Sequence, residues 1–362
     1  MHMADALLAP AVAASMYVFS GAATGISVKA LKKDDNMAKL PTMAVTSALV
    51  FAGQMINYTI PGTGSSGHMC GGMLLSALLG PQAGFLSMVV ILTIQCLFFA
   101  DGGLMALGAN CWNMAFYGCF VGYYLLWKPI MQSNLFGRNK SADRIKIALG
   151  SILGCVITLQ LGAFSVVLET SMSGITELPF RAFAGIMQPI HLAIGLVEGL
   201  ITTTVLLFIY ESRPELIMEL DISKTGDKNK CSLRTTVSIL AIVTVIIGGG
   251  LSLLASTNPD GLEWSLFGNT ESGYSENMGL DEEHYGISSK AADTAEAIQE
   301  KTAFLPDYAF VGSDSAAGTT LSGLAGSAIV AAAAVLICTI GGFFRKKRPQ
   351  AKDNTAAEHF QI

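Results

Sequence analysis

Apolar residues in this chain run together instead of alternating or recurring at a fixed helical spacing. Nine such stretches, at about 6–28, 41–58, 69–79, 82–99, 104–127, 147–168, 183–209, 237–255 and 324–344, carry very little charge. A helix crossing a hydrocarbon core of about 30 Å needs roughly 20 residues of this kind. Most of the stretches meet that length. The third is short, and Gly80-Pro81 ends it. The pattern predicts an all-α integral membrane protein in two parts. Residues 1–220 form a seven-helix bundle with a short broken helix beside a Gly-rich loop, the kind of segment from which binding sites in membranes are built. Residues 221–362 add two C-terminal transmembrane helices flanking a polar stretch at 256–322. No internal repeat stands out.

Composition sharpens the picture. Charged residues make up 14% of the 362, against about 25% in soluble domains, and mean hydropathy is +0.51. The net charge of −5 hides a segregation. Lys29, Lys32 and Lys33 follow the first apolar stretch, and Arg138, Lys140, Arg144 and Lys146 lie between the fifth and sixth. Arg213, Lys224, Lys228, Lys230 and Arg234 precede the eighth, and Arg345–Arg348 follow the last. Basic loops stay on the cytoplasmic side. If 69–79 is counted as a crossing, all of these loops fall on one side. The expectation is nine crossings in a prokaryotic inner membrane, N-terminus outside and C-terminus cytoplasmic, with the acidic 256–322 loop outside. No Lys or Arg precedes Lys29, so the first helix does not read as a cleavable signal. No basic stripe points to nucleic acid. Nearly all of the seven cysteines sit in or beside apolar runs, and they read as packing residues, not as a disulfide framework.

The candidate chemistry lies at the start. In Met1-His2 a free α-amine, the amide nitrogen of His2 and its imidazole Nδ1 can form fused chelate rings. Such a planar nitrogen set suits Ni(II) or Cu(II) better than Zn. A fourth donor is available in His68, within the loop Gly67-His68-Met69-Cys70-Gly71-Gly72. Met69 and Cys70 could also ligate, although they read better as the start of a packed helix. The bland alternative is an incidental terminal histidine and a histidine of no function in a loop.

Several blocks, in order, carry a family resemblance: Met1-His2-Met3-Ala4-Asp5, Gln54-Met55-Ile56-Asn57-Tyr58, the His68 loop, Phe99-Ala100-Asp101-Gly102-Gly103, Gly108-Ala109-Asn110-Cys111-Trp112-Asn113-Met114, and His191 through Gly199. Over about 1–215 the chain resembles the CbiM/NikM family, the substrate-binding components of energy-coupling-factor importers for cobalt and nickel. Asn258-Pro259-Asp260-Gly261-Leu262-Glu263-Trp264 resembles the signature of the small two-helix N component, so the chain looks like a fusion of the two. The segment from Gly268 to Ser322 follows neither pattern. The resemblance implies a metal held by the Met1 amine, the His2 backbone and ring, and His68, with Ni2+ or Co2+ as transported substrate and no organic cofactor. It also implies a transmembrane coupling (T) subunit and ABC-type ATPase (A) subunits as partners. Met3-Ala4-Asp5-Ala6 replaces glycine-containing openings, which leaves the choice between nickel and cobalt open.

Gln54, Asn57, Asp101, Asn110, Asn113, Gln188, His191 and Glu198 are polar positions in or at the ends of apolar runs. Such residues are functional candidates, although hydrogen bonds between helices are their commoner use. Support for His2 or His68 from a second layer of contacts is the functional reading, and Asp101 is the leading candidate for it. No phosphate-binding Gly-x-x-x-x-Gly-Lys-Ser/Thr motif occurs, so ATP hydrolysis is expected on a separate subunit. A membrane-embedded metalloenzyme is an alternative, but it lacks a His-Glu-x-x-His motif. A ligand-free assembly subunit is another. The acidic tail is expected to assist entry, its helices holding the 59–69 loop open, without supplying a ligand.

Overall fold

The computed structural model describes residues 1–32, 40–137, 139–220, 231–269, 277–281, 285–312 and 315–343, with only the backbone of Leu40 and of 338–343. Lys33, Arg138, Lys224, Lys228, Lys230 and Arg345–Arg348, which oriented the chain above, lie outside these, as does the side chain of Cys338.

The architecture is helical. A turn at Asp5–Leu7 leads into α1 (Pro10–Leu31), with proline in the first turn where its missing N–H costs nothing. α2 (Leu40–Gln54) is followed by a short hairpin, β1 (Tyr58–Ile60) paired antiparallel with β2 (Ser65–Gly67). α3 (Gly72–Leu79) is only eight residues long, about 12 Å. Gly80, at φ 84°, turns the chain directly into α4 (Pro81–Phe99). α5 (Leu107–Asn110) continues through a wider π-helical stretch, Cys111–Trp127, into α6 (Lys128–Gln132). α7 (Lys140–Met172) and α8 (Phe180–Ser212) each have 33 residues. The tail contributes α9 (Leu233–Gly249), α10 (Gly261–Phe267), α11 (Lys290–Thr302) and α12 (Ala316–Phe343).

Among the described residues, five helices are long and apolar enough to cross a membrane: α1, α4, α7, α8 and α12 over Ala316–Ile337. α9 is a shorter apolar helix. The chain is thus a multi-pass membrane protein.

The Gly67–Gly71 loop goes deep into the bundle. Glu198, midway along α8, accepts from the backbone N–H of Cys70 at 3.0 Å and of Gly71 at 2.9 Å. At the other end of α3 the Met218 N–H donates to the Ala77 carbonyl at 2.8 Å. Loop and α3 together therefore run alongside the second half of α8. Non-helical backbone at such depth must have its polar groups satisfied by protein, which accounts for a carboxylate in an otherwise apolar helix. Gln54 completes the arrangement. It donates to the Cys70 carbonyl at 2.8 Å and accepts from Gln95 at 3.0 Å. Gly71 has φ 83°, and a Cβ there would lie 2.3 Å from a Val50 methyl, so only glycine fits.

The tail packs on this bundle. Gly248 of α9 and Gly323 of α12 allow their backbones to touch, and a Cβ on Gly326 would fall 2.2 Å from the Phe51 ring of α2. Small residues at such crossings let membrane helices approach closely.

Candidate metal-capture site

The first residues are interior. Met1 is 4% exposed and Met3 is fully buried. Asn110, at the start of the π-helical stretch, holds Met3 from both sides: its carbonyl accepts from the Met3 N–H at 2.8 Å, and its amide donates to the Met3 carbonyl at 3.2 Å. The Gly103 N–H donates to that same carbonyl at 2.9 Å. Asp5 accepts from the Ala106 N–H at 2.9 Å. With four such bonds the N-terminal strand is threaded into the bundle in one register, and this fixes where the Met1 amine and the His2 ring lie.

The His2 and His68 rings stack at 5.3 Å between centroids with 21° between their planes. His68 is buried, and its Nδ1 lies 3.1 Å from the Met69 carbonyl. That contact suits an N–H donor there and leaves Nε2 facing inward as the electron-pair donor. His2 Nδ1 lies 3.1 Å from Asp101 Oδ1. The third partner comes from the tail. Asp260 Oδ2 accepts from the Met1 ammonium at 2.9 Å and lies 3.8 Å from His68 Nε2. Asp260 also caps α10, accepting from the Leu262 and Glu263 N–H groups at 2.8 and 2.9 Å, while Glu263 reaches back to the Asp260 N–H at 3.2 Å. The preceding turn is tied to the hairpin: the Ser66 N–H and hydroxyl donate to the Pro259 and Asn258 carbonyls, each at 2.8 Å.

These neighbours set the charges. Burial alone would lower the Met1 amine, but the facing Asp260 carboxylate more than offsets it, and the amine is held above its ordinary value as an ammonium. Burial, aided by that ammonium and by His2, pushes His68 down to about 4. Burial likewise lowers His2. Both rings are therefore neutral at pH 7, the form that binds a metal. Asp260 falls well below the carboxylate range, because the ammonium and His68 outweigh its burial.

Among the described residues no three His, Cys, Asp or Glu side chains gather as a metal-binding group. A site here would have to use main-chain nitrogen, and the Met1 amine, the His2 ring and His68 are the donors brought together. Met69 and Cys70 are buried, and the Cys70 backbone N–H is held by Glu198.

Residues 2–216 match the family model described as the cobalt uptake substrate-specific transmembrane region, CbiM. The chain belongs to the CbiM family. Residues 234–341 match the PDGLE domain, so one chain joins a CbiM region to a PDGLE region. A protein of Archaeoglobus fulgidus named "Putative fused nickel transport protein NikMN" is 32% identical over 92% of this chain and 96% of its own length. The cobalt transport protein CbiM of Sorangium cellulosum is 31% identical over 50% of this chain and 78% of its own. The crystal structure of a truncated transition metal transporter superposes with TM-score 0.50 at 30% identity, covering 58% of this chain and 99% of that one.

The other polar positions of the CbiM region are spread through it. Asn110 positions the N-terminal strand. Asn113 donates to Glu169 at 2.8 Å and approaches the Met3 sulfur at 3.6 Å. Gln54 and Glu198 hold the loop next to His68. His191, buried on α8, has Nδ1 2.8 Å from the Met187 carbonyl, and its Nε2 is without a hydrogen-bond partner. It lines a cavity of about 10 Å³ together with Met1, His68 and Asp260. Asn57 acts through its backbone, its carbonyl accepting from the Ser256 N–H at 2.7 Å. Gln188 exchanges bonds with Gln160 on α7 and stands apart from the donors. The residue that sequence reasoning missed is Asp260. It lay inside the recognised PDGLE signature, but nothing in the spacing connected it to a residue 259 positions away.

Proposed function

We propose that the chain captures Ni2+ or Co2+ as the substrate-binding membrane component of an ATP-driven importer of the energy-coupling-factor type. The donors are the Met1 amine, the His2 amide nitrogen and Nδ1, and His68 Nε2. One observation carries this reading: the amine, the His2 ring and the His68 ring meet at a single buried point, around Asp260. The relatives named for nickel and for cobalt transport supply the cargo class. Chelation requires Nδ1 of His2 to leave Asp101 and the amine to leave Asp260. Both carboxylates therefore hold the donors in place until a cation replaces them. A T subunit and ABC-type ATPase subunits would supply the energy.

The test is equilibrium nickel and cobalt binding by the full chain in lipid nanodiscs. His68→Ala should weaken binding by at least about a hundredfold, or about 2.7 kcal/mol, while Met69→Ala and Cys70→Ala change it severalfold at most. Loss of binding in Cys70→Ala with binding kept in His68→Ala would make the site sulfur-based and reject the nitrogen set.

The same reading divides the chain into a metal-binding part at 1–220 with seven crossings and a tail at 221–362 with two. It places the N-terminus and 256–322 outside and the C-terminus in the cytoplasm. Protease added to intact spheroplasts should cut within 256–322 and spare 138–146. Cleavage confined to inverted vesicles would reverse the orientation.

A further inference from the structure

Two amide side chains form a buried bridge between the segments that carry the candidate donors. Gln54 ends α2 and Gln95 lies near the end of α4, and both are buried. Gln54 donates to the Cys70 carbonyl at 2.8 Å, in the loop that holds His68, and accepts from Gln95 at 3.0 Å. The carbonyl at one end fixes the direction of the whole bridge. It can only accept, so Gln54 must turn its amide nitrogen to Cys70 and its oxygen to Gln95. Gln95 must then give its nitrogen to Gln54. Its own oxygen is left at the far end, buried and without a donor.

The far end meets His2. Where α4 ends, at Ala100 with φ 55°, the Gln95 main-chain carbonyl accepts from the Asp101 N–H at 3.1 Å. Asp101 in turn holds His2 Nδ1, and a Cβ on Gly102 would lie 3.6 Å from the Cδ2 edge of the same ring. Burial lowers His2, and hydrogen bonding to the Gln95 side chain is among the influences that oppose it. Gln95 is thus within reach of the ring, yet His2 Nε2 and Gln95 Oε1 both lack a completed hydrogen bond. Proton placement accounts for this. The Asp101 carboxylate accepts only, so the neutral ring carries its one proton on Nδ1. Nε2 then presents a lone pair to an amide oxygen, and two acceptors do not bond. Buried polar atoms normally have partners, so this pair suits a ring whose proton is on the other nitrogen.

We propose that Gln95 is a positioning residue for metal capture, its Oε1 accepting from the His2 Nε2–H once Nδ1 has passed from Asp101 to the ion. The inference rests on the donor set proposed above. The ring stays neutral, because the proton lost from Nδ1 is matched by one gained on Nε2. A metal-bound imidazole almost always donates its other N–H, and that bond fixes both tautomer and ring orientation. Gln95 Oε1 can only accept, so it selects the tautomer whose Nδ1 lone pair is free for the metal. Through Gln54 the same bridge refers the His2 ring to the loop that carries His68, so the two histidines are set against one another. Asp101, relieved of His2, keeps the Tyr308 hydroxyl, which donates to its Oδ2 at 2.5 Å.

The experiment uses the full chain in lipid nanodiscs, with histidine isotope-labelled in its ring nitrogens and Ni2+ as the probe. Square-planar nickel on four nitrogens is diamagnetic, so the ring signals can be followed by NMR. On loading, a His2 Nε2–H proton should appear, shifted downfield by its hydrogen bond and slow to exchange. Gln95→Leu should make that proton exchange freely and weaken nickel binding about 10- to 100-fold. Gln95→Glu separates the two ends of the bridge. Its carboxylate accepts from Nε2–H but does not donate to Gln54, so most of the lost affinity should return. Equal losses in Gln95→Glu and Gln95→Leu would make Gln95 a support for Gln54 alone and overturn the proposal. Wild-type affinity in Gln95→Leu would also overturn it. So would a loaded wild type whose Nε2–H exchanges like that of a free imidazole, a result that needs no variant to fold. Failure of the donor set is distinguishable, because the His2 ring nitrogens would then not respond to nickel at all, which rejects this inference with it.

Discussion

One residue added ahead of Met1 should abolish metal capture while leaving the protein inserted in the membrane. The expected loss of affinity is at least about a thousandfold, about 4 kcal/mol. Two effects combine. The added residue converts the Met1 amine to an amide and moves the new amine out of the ring that it would close with His2. It also has no room, since Met1 is 4% exposed and its methyl lies 3.2 Å from where a Cβ on Gly162 would sit. Losing the ammonium leaves the half-buried Asp260 carboxylate with only its Leu262 and Glu263 N–H partners. The PDGLE turn should therefore loosen as well. Nickel binding should be compared before and after removal of a cleavable extension that restores Met1 as the first residue. Full binding by the uncleaved form would eliminate the amine as a donor.

The helical membrane class was legible in the sequence because long uncharged stretches have few other physical outcomes. Helix lengths were less so: α7 and α8 extend several residues beyond their apolar cores, since polar ends carry no hydropathy signal. The candidate donors Met1, His2 and His68 were nominated from coordination chemistry, which depends on residue type and local spacing. Their supporting contacts depend on which backbone meets which side chain. Glu198 stood out as an intramembrane carboxylate, but that it holds the Cys70 and Gly71 N–H groups follows only from the path of the loop. Least legible was how the tail packs. Within the polar 256–322 stretch, Leu262, Leu266 and Leu305 are buried. Gln299 and Tyr308 bind the CbiM region, because a sparse set of apolar anchors is enough once a neighbouring surface exists to receive them. The tail, expected to supply no ligand, sets Asp260 against the Met1 amine and His68.

Metal affinity should rise about a hundredfold per pH unit between about pH 6.5 and 8, equivalent to about 2.7 kcal/mol per unit. The sign follows from which groups carry protons in the metal-free protein. His68, pushed down to about 4, and His2, also lowered, are already neutral across this range and release nothing. The Met1 amine, held above its ordinary value of 8.0, remains an ammonium and must lose a proton to ligate. The His2 amide must lose another. Two protons leave for each metal bound, so each unit of acidification opposes binding twice. Calorimetry in buffers of different ionisation enthalpy counts these protons directly. One proton per metal would show that the amide nitrogen stays protonated and is not a donor. A plateau above about pH 6.5 would show that imidazole protonation governs capture instead. Asp260→Asn refines the test. Asparagine can still cap α10 through its side-chain oxygen, but it removes the charge that holds the ammonium. Burial then lowers the amine, so the count measured near pH 8 should fall from two protons towards one. A count that stays at two would mean that Asp260 does not control the amine.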